Sequence, residues 1–124
     1  MSDNNPRPVG LFIGLSTLDV IQLVERVPHS DEKVRALDIS LAAGGPAANA
    51  AVAFAGLGGR AVLITRIADD SASALIRADL AQYGVEIIDR FGSAGSTTVA
   101  SILVTQSSGE RAVVSAADRG RSDE

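Results

Sequence analysis

Ala43-Gly44-Gly45-Pro46-Ala47-Ala48-Asn49-Ala50-Ala51 is the stretch on which the reading of this chain turns. Proline in the first turn and the pair Gly58-Gly59 beyond the last apolar residue punctuate a helix over residues 47–57. The two glycines ahead of it leave room for a ligand to approach the backbone, and a helix start presents unpaired N–H groups. Asn49 falls one turn in, where its amide can donate to or accept from the same ligand. The same letters also describe a plain helix start with an incidental Asn on a small-residue face, and the local pattern leaves both readings open.

Working outward, residues 37–41 alternate strictly, with Leu37, Ile39 and Leu41 on one face and Asp38 and Ser40 on the other, the pattern of a half-buried strand. Before it, the polar segment 25–33 is a loop containing Pro28 and His29, preceded by an apolar stretch over 18–24 with Asp19 near its start. Residues 9–15 form a continuous apolar run, expected to be a strand buried on both faces. On the other side, 61–65 is a further buried strand. Asp69 and Asp70 are placed to cap a second helix with Ala72, Leu75, Ile76, Leu80 and Tyr83 on one face and Gly84 as terminator. A short strand over 85–88, a turn-rich break over 92–96 and a hairpin of 98–105 with 110–115 complete the pattern.

Strands alternating with helices predict a parallel sheet with right-handed crossovers, to which the 18–41 excursion and the late hairpin add antiparallel strands. Two helices are too few to cover both faces of such a sheet, so the α/β fold is expected to be incomplete.

Composition narrows the function. In 124 residues, hydrophobic residues make up 46% and charged ones 21%, which suits a single soluble domain. Aromatics at 3%, a net charge of −4 and scattered cations give no nucleic-acid surface and no basic patch for an anionic membrane. Cysteine is absent, residues 1–8 lack the apolar core of a signal peptide, and no run approaches the ~20 residues of a membrane span. A cytoplasmic protein is expected. Gly56-Leu57-Gly58-Gly59-Arg60-Ala61 has the letters of a dinucleotide fingerprint, but it follows a helix and precedes a strand, the reverse of what a pyrophosphate needs. His29 is the only histidine and sits in a solvent loop.

With these residues in view, the double-glycine segment resembles the signature of the ribokinase-like, phosphofructokinase-B-type (pfkB family) sugar kinases: a Gly pair, then an Asn, a small residue and a helix-ending Gly, here Gly44, Gly45, Asn49, Ala51 and Gly58. Gly14-Leu15-Ser16-Thr17-Leu18-Asp19 is similar to that family's first strand, which ends in a sugar-binding aspartate. Ile67-Ala68-Asp69-Asp70 is similar to its next turn, although Ala68 and Ser73 stand where glycine is usual.

The resemblance runs from about Val9 to Ser115. It implies a partial, ribokinase-like α/β sheet with flanking helices over 9–115, with a small β lid at about 18–41 and 98–115, a loose N-terminus over 1–8 and a polar tail over 116–124. It further implies Asp19, Gly44, Gly45 and Asn49 as sugar-binding residues, phosphoryl transfer from ATP with Mg2+ in the full-length family, and self-association through the lid. The family's Gly-Ala-Gly-Asp motif, which carries the general base and anion hole, and its Asn-x-x-Glu motif have no match here: the asparagines are Asn4, Asn5 and Asn49, and none has Glu three residues later.

The expectation is therefore the N-terminal, sugar-binding part of a kinase, binding ATP and magnesium poorly and inactive alone, with a C-terminal fragment as a complementary partner. The alternative is a non-catalytic sugar-binding or interaction module from the same family. Gly109-Glu110-Arg111 and the double-glycine segment look most like members acting on fructose-type sugars, including sulfofructose.

Overall fold

Alternating apolar and polar runs fold into seven strands and two helices in the computed structural model, which describes residues 6–90 and 95–116. In chain order these are β1 (Val9–Ile13), β2 (Thr17–Val24), β3 (Asp38–Gly44), α1 (Pro46–Gly56), β4 (Arg60–Thr65), α2 (Ser71–Gln82), β5 (Glu86–Asp89), β6 (Thr98–Thr105) and β7 (Arg111–Ser115). The expected loose residues 1–8, the break at 92–96 and the tail at 116–124 fall wholly or partly outside the described residues.

The strands divide into two sheets rather than one. A parallel sheet has the order β1-β4-β5, with Leu11 opposite Val62 and Leu63 opposite Ile87. The second sheet has the order β3-β2-β6-β7. The expectation of antiparallel strands added to one parallel sheet is corrected on two counts. The 17–44 excursion pairs with the late hairpin and not with β1, and its contact, β2 against β6, is parallel, with Asp19 opposite Ala100.

Both helices pack on one face of the parallel sheet. Phe12 meets Phe54 of α1 with ring centroids 5.5 Å apart, and Leu63 of β4 is buried together with Ile76 and Leu80 of α2. Burying each of these aliphatic side chains contributes about 1.5–3 kcal/mol. Among the described residues no helix covers the other face of the sheet. There Val9, Leu11 and Ile13 are 56%, 64% and 67% exposed, so β1 is buried on one side only, contrary to the two-sided burial its apolar run suggests. Leu37, Ile39 and Leu41 are also exposed rather than half-buried, for the same want of a facing layer. On α2 the buried stripe is narrower than the pattern indicates: Ile76 and Leu80 are covered, while Leu75 and Tyr83 are half exposed.

The helix ends follow the local chemistry. At the end of α1 the Gly59 N–H donates to the Phe54 carbonyl and the Gly58 N–H to that of Ala55, the paired bonds of a Schellman stop; Val85 and Gly84 repeat it on α2. The fingerprint-like letters at 56–61 are thus a helix stop running into β4. Asp70, and not Asp69, caps α2: its carboxylate accepts from the Ser73 N–H, and the Ser73 hydroxyl and the Asp70 N–H complete a capping box. The same carboxylate accepts from the Thr97 N–H at 3.0 Å and the Thr97 hydroxyl at 2.7 Å, tying α2 to the residue before β6.

These donors hold the Asp70 carboxyl below its usual range, the Thr97 N–H contributing most, then the Thr97 hydroxyl, with burial opposing and Ser73 adding less. A carboxyl depressed in the folded state contributes stability above its unfolded pKa and loses it as pH falls through the folded value. Asp70→Ala is therefore expected to cost about 1–3 kcal/mol in urea unfolding at neutral pH. The gap to wild type should narrow below about pH 4. A gap of constant size across that range would overturn this assignment.

Candidate functional site

The candidate residues gather where β1 ends and α1 begins, outside the carboxyl ends of the parallel strands, the usual ligand crevice of an open α/β sheet. The chain turns at Gly14, whose N–H donates to the Ile64 carbonyl, and enters β2 through Ser16. Ser16 is buried and its hydroxyl lies 2.8 Å from that of Thr65 at the end of β4, so the first residue of the excursion is pinned to the body.

Register then sets the site. Thr17 stands opposite Gly44 on one side and Thr98 on the other, and Asp19 opposite Ala42 and Ala100. Alternation along β2 puts Thr17 and Asp19 on one face, where the Thr17 hydroxyl donates to Asp19 Oδ1 at 2.8 Å. The other carboxylate oxygen, Oδ2, lies against Gly44. A Cβ at Gly44 would overlap that oxygen and stand 2.7 Å from the Thr17 hydroxyl. Asp19 is half-buried, and among the described residues Oδ2 accepts no hydrogen bond.

Gly45 is the N-cap of α1, with φ +103°, and a Cβ there would come 2.6 Å from the Leu15 carbonyl oxygen. No side chain caps this helix, and Pro46 occupies its first turn. The Asn49 N–H donates to the Gly45 carbonyl at 2.9 Å, which puts Asn49 one turn along; its side chain is exposed and makes no hydrogen bond within the described residues. The fold therefore brings Asp19 against Gly44, with Gly45 next in the chain and Asn49 one turn into α1, without bonding Asn49 to Asp19.

Thr17 was not singled out by the sequence reading. Asp19 stands third in β2 and not at the end of the first strand, which closes at Ile13, and the signal for Thr17 was present, since a hydroxyl two residues before an acid on one strand shares its face. A groove of about 360 Å³ lined by Arg26, Lys33, Arg35 and Leu37 lies elsewhere, at the far end of β2, about 23 Å along the strand from Thr17. Among the described residues no group of three or more His, Asp or Glu could hold a metal ion, and no helix is long and apolar enough to cross a membrane.

Comparison with known proteins matches residues 11–119 to the pfkB family carbohydrate kinase model. The chain is 39% identical over 105 residues to an ATP-dependent ribose-1-phosphate kinase of Halopiger xanaduensis and 30% identical over 105 residues to ketohexokinase of Mus musculus, covering 84% of this chain and 35% of each relative. Among solved structures, one from Agrobacterium tumefaciens assigned as a ribokinase superposes with a TM-score of 0.81 at 27% identity, covering 92% of this chain and 37% of that one. Phosphofructokinase-2 of Escherichia coli in complex with fructose-6-phosphate shares the fold, with a TM-score of 0.73 at 23% identity over 97% of this chain and 39% of that one. The chain thus spans little more than a third of the length of these relatives.

The contact between Gly44 and Asp19 has a measurable signature. Gly44→Ala forces a methyl into the carboxylate and should cost about 1–3 kcal/mol in chemical denaturation. Gly45→Ala should cost a similar amount through its positive φ and the Leu15 carbonyl. In a double-mutant cycle, Asp19→Ala should recover much of the Gly44→Ala loss and none of the Gly45→Ala loss. Additive costs for Asp19 and Gly44 would contradict the observed contact.

Proposed function

The chain belongs to the pfkB family of carbohydrate kinases, and from that premise we propose that it is the sugar-binding part of an ATP-dependent carbohydrate kinase, acting on a fructose- or ribose-like substrate. The observation that carries this reading is the Asp19 carboxylate, oriented by Thr17, with Oδ2 unpaired beside Gly44 and the uncapped start of α1. A carboxylate in that position accepts hydrogen bonds from sugar hydroxyls. The glycines let the turn pack directly against Asp19 and the Leu15 carbonyl, and Asn49 offers an amide one helical turn away. Each charged hydrogen bond contributes roughly 1.5–3 kcal/mol.

The ATP polyphosphate does not fit these residues, and they offer a metal ion a single carboxylate. The donor set is one carboxylate, one hydroxyl, glycine backbone and one amide, which suits neutral hydroxyls and repels a polyphosphate. The residues implied for phosphoryl transfer, the Gly-Ala-Gly-Asp base and anion hole, have no match in this sequence. We therefore place substrate positioning in this chain and the transfer chemistry outside it, and a cytoplasmic setting accords with the composition.

Titrating the 15N-labelled chain with D-fructose and D-ribose should perturb the Gly44, Gly45 and Asn49 amides. Asp19→Ala should weaken the affinity by about ten- to a hundred-fold. Unperturbed amides, or an Asp19→Ala chain that binds as well as wild type, would reject the reading. The chain alone is expected to form no sugar phosphate from ATP.

Association is part of the same proposal. The exposed faces carrying Leu37, Ile39 and Leu41 in the lid, and Val9, Leu11 and Ile13 in β1, favour a dimer or larger species, or capture of a C-terminal complementary fragment. Light scattering at tens of micromolar should show species heavier than a monomer; a stable monomer would count against it.

A further inference from the structure

The edge of the second sheet beside the double glycine is held by a side chain from a distant part of the chain. β3 is an edge strand, paired with β2 on one side only. Such an edge leaves every second N–H without a ladder partner. At Ala43, the residue immediately before Gly44, that N–H donates to Asp79 Oδ2 of α2 at 2.8 Å, across 36 residues of sequence. The second oxygen, Oδ1, accepts from the Gln82 side-chain amide at 2.7 Å, one turn further along the same helix. Asp79 is half-buried, so the carboxylate spans the gap between helix and strand with both oxygens engaged.

We infer that Asp79 is a positioning residue for the Gly44-Gly45 turn, acting through the Ala43 N–H and not by touching the ligand. The inference rests on the reading of that turn as the sugar site. Three fixed contacts then converge on three consecutive residues. Asp79 holds Ala43, the Asp19 carboxylate closes the space above Gly44, and the Leu15 carbonyl closes the space beside Gly45. Without the first, the end of an edge strand can shift or fray toward water while the other two contacts only limit how close the chain may come. A charged acceptor is suited to this role because its bond to an N–H is about twice as strong as a neutral one. Gln82 restricts the carboxylate to the orientation that reaches β3.

The test compares Asp79→Ala with Asp79→Asn, which keeps an acceptor oxygen at the same length, in the full chain labelled with 15N. In Asp79→Ala the Ala43 amide should exchange with solvent about tenfold faster or more, the loss expected for one charged hydrogen bond. The Gly44 and Gly45 resonances should shift, while the Ile76 and Leu80 amides inside α2 keep their protection. D-fructose affinity should fall about tenfold in the same variant. Asp79→Asn should restore most of the Ala43 protection and of the affinity.

Unchanged Ala43 exchange would overturn the inference. So would faster Ala43 exchange with unchanged fructose affinity, or an equal loss of protection throughout α2 in both variants. A wild-type chain that binds neither D-fructose nor D-ribose defeats the sugar-site reading instead. In that case a selective disturbance of Ala43, Gly44 and Gly45 with α2 intact still upholds the positioning role, and its absence still overturns it.

Discussion

There is no space for a side chain between Gly44 and the Asp19 carboxylate, and much of the structure follows from that exclusion. Because Thr17 must face Gly44, the β2–β3 register is fixed; a slip of one residue would drive a methyl or a turned backbone into the carboxylate and exchange every outward and inward side chain of the strand. A fixed β3 end fixes Gly45, whose positive φ lets the chain turn past the Leu15 carbonyl into α1. The start of α1 then determines where Phe54 meets Phe12, and so how the helix seats on β1 and β4. A local steric fact at the candidate site is thereby also a constraint on the core.

The join between the two sheets depends on short polar side chains. β2 and β6 leave the body side by side, and each departure carries a hydroxyl pinned to it: Ser16 to Thr65, and Thr97 to the Asp70 carboxylate and the Ala68 N–H. Ser16, Thr65 and Thr97 are buried, so loss of one partner would leave the other unsatisfied in a low-dielectric setting. The ion pairs Arg26–Glu32 and Arg60–Glu86 lie between exposed side chains, where side-chain entropy and screening cancel most of the attraction. At the join between the sheets, the charge that matters is the one at Asp70.

The helices and their glycine stops were legible in the sequence because they rest on contacts within a few residues of chain: Pro46 and Gly58 bound α1, and Asp70 caps α2 three residues from Ser73. The division into two sheets was not, because strand partners are chosen by long-range fit. An apolar run such as 18–24 reads the same whether it joins β1 or β6. Burial misled for a related reason. Leu11, Ile13, Ile39 and Leu41 have the pattern of buried residues, but burial needs a facing layer, and sequence periodicity reports a strand's intended face and not what covers it. Of the candidate site, Asp19, Gly44, Gly45 and Asn49 were proposed through their resemblance to a family motif, and Asp19 packs against Gly44. Thr17 and Asp79 escaped because a lone Thr and a lone helical Asp carry no motif, and only the fold reveals that one orients a carboxylate and the other holds a strand edge.

The chemistry of this corner follows from its unpaired oxygen. Asp19 Oδ2 has no donor within the described residues, so the carboxylate keeps capacity for hydroxyl donors while its negative charge opposes anions. Two unit charges about 4 Å apart interact by roughly 4 kcal/mol at an effective dielectric constant near 20, more than one charged hydrogen bond returns. A phosphate donor brought to the same spot would need that repulsion neutralised by cations or N–H groups from elsewhere. A neutral hydroxyl donor needs none of this, and would meet an acceptor that Thr17 already aims. Charge at this corner thus favours neutral hydrogen-bond donors over anions.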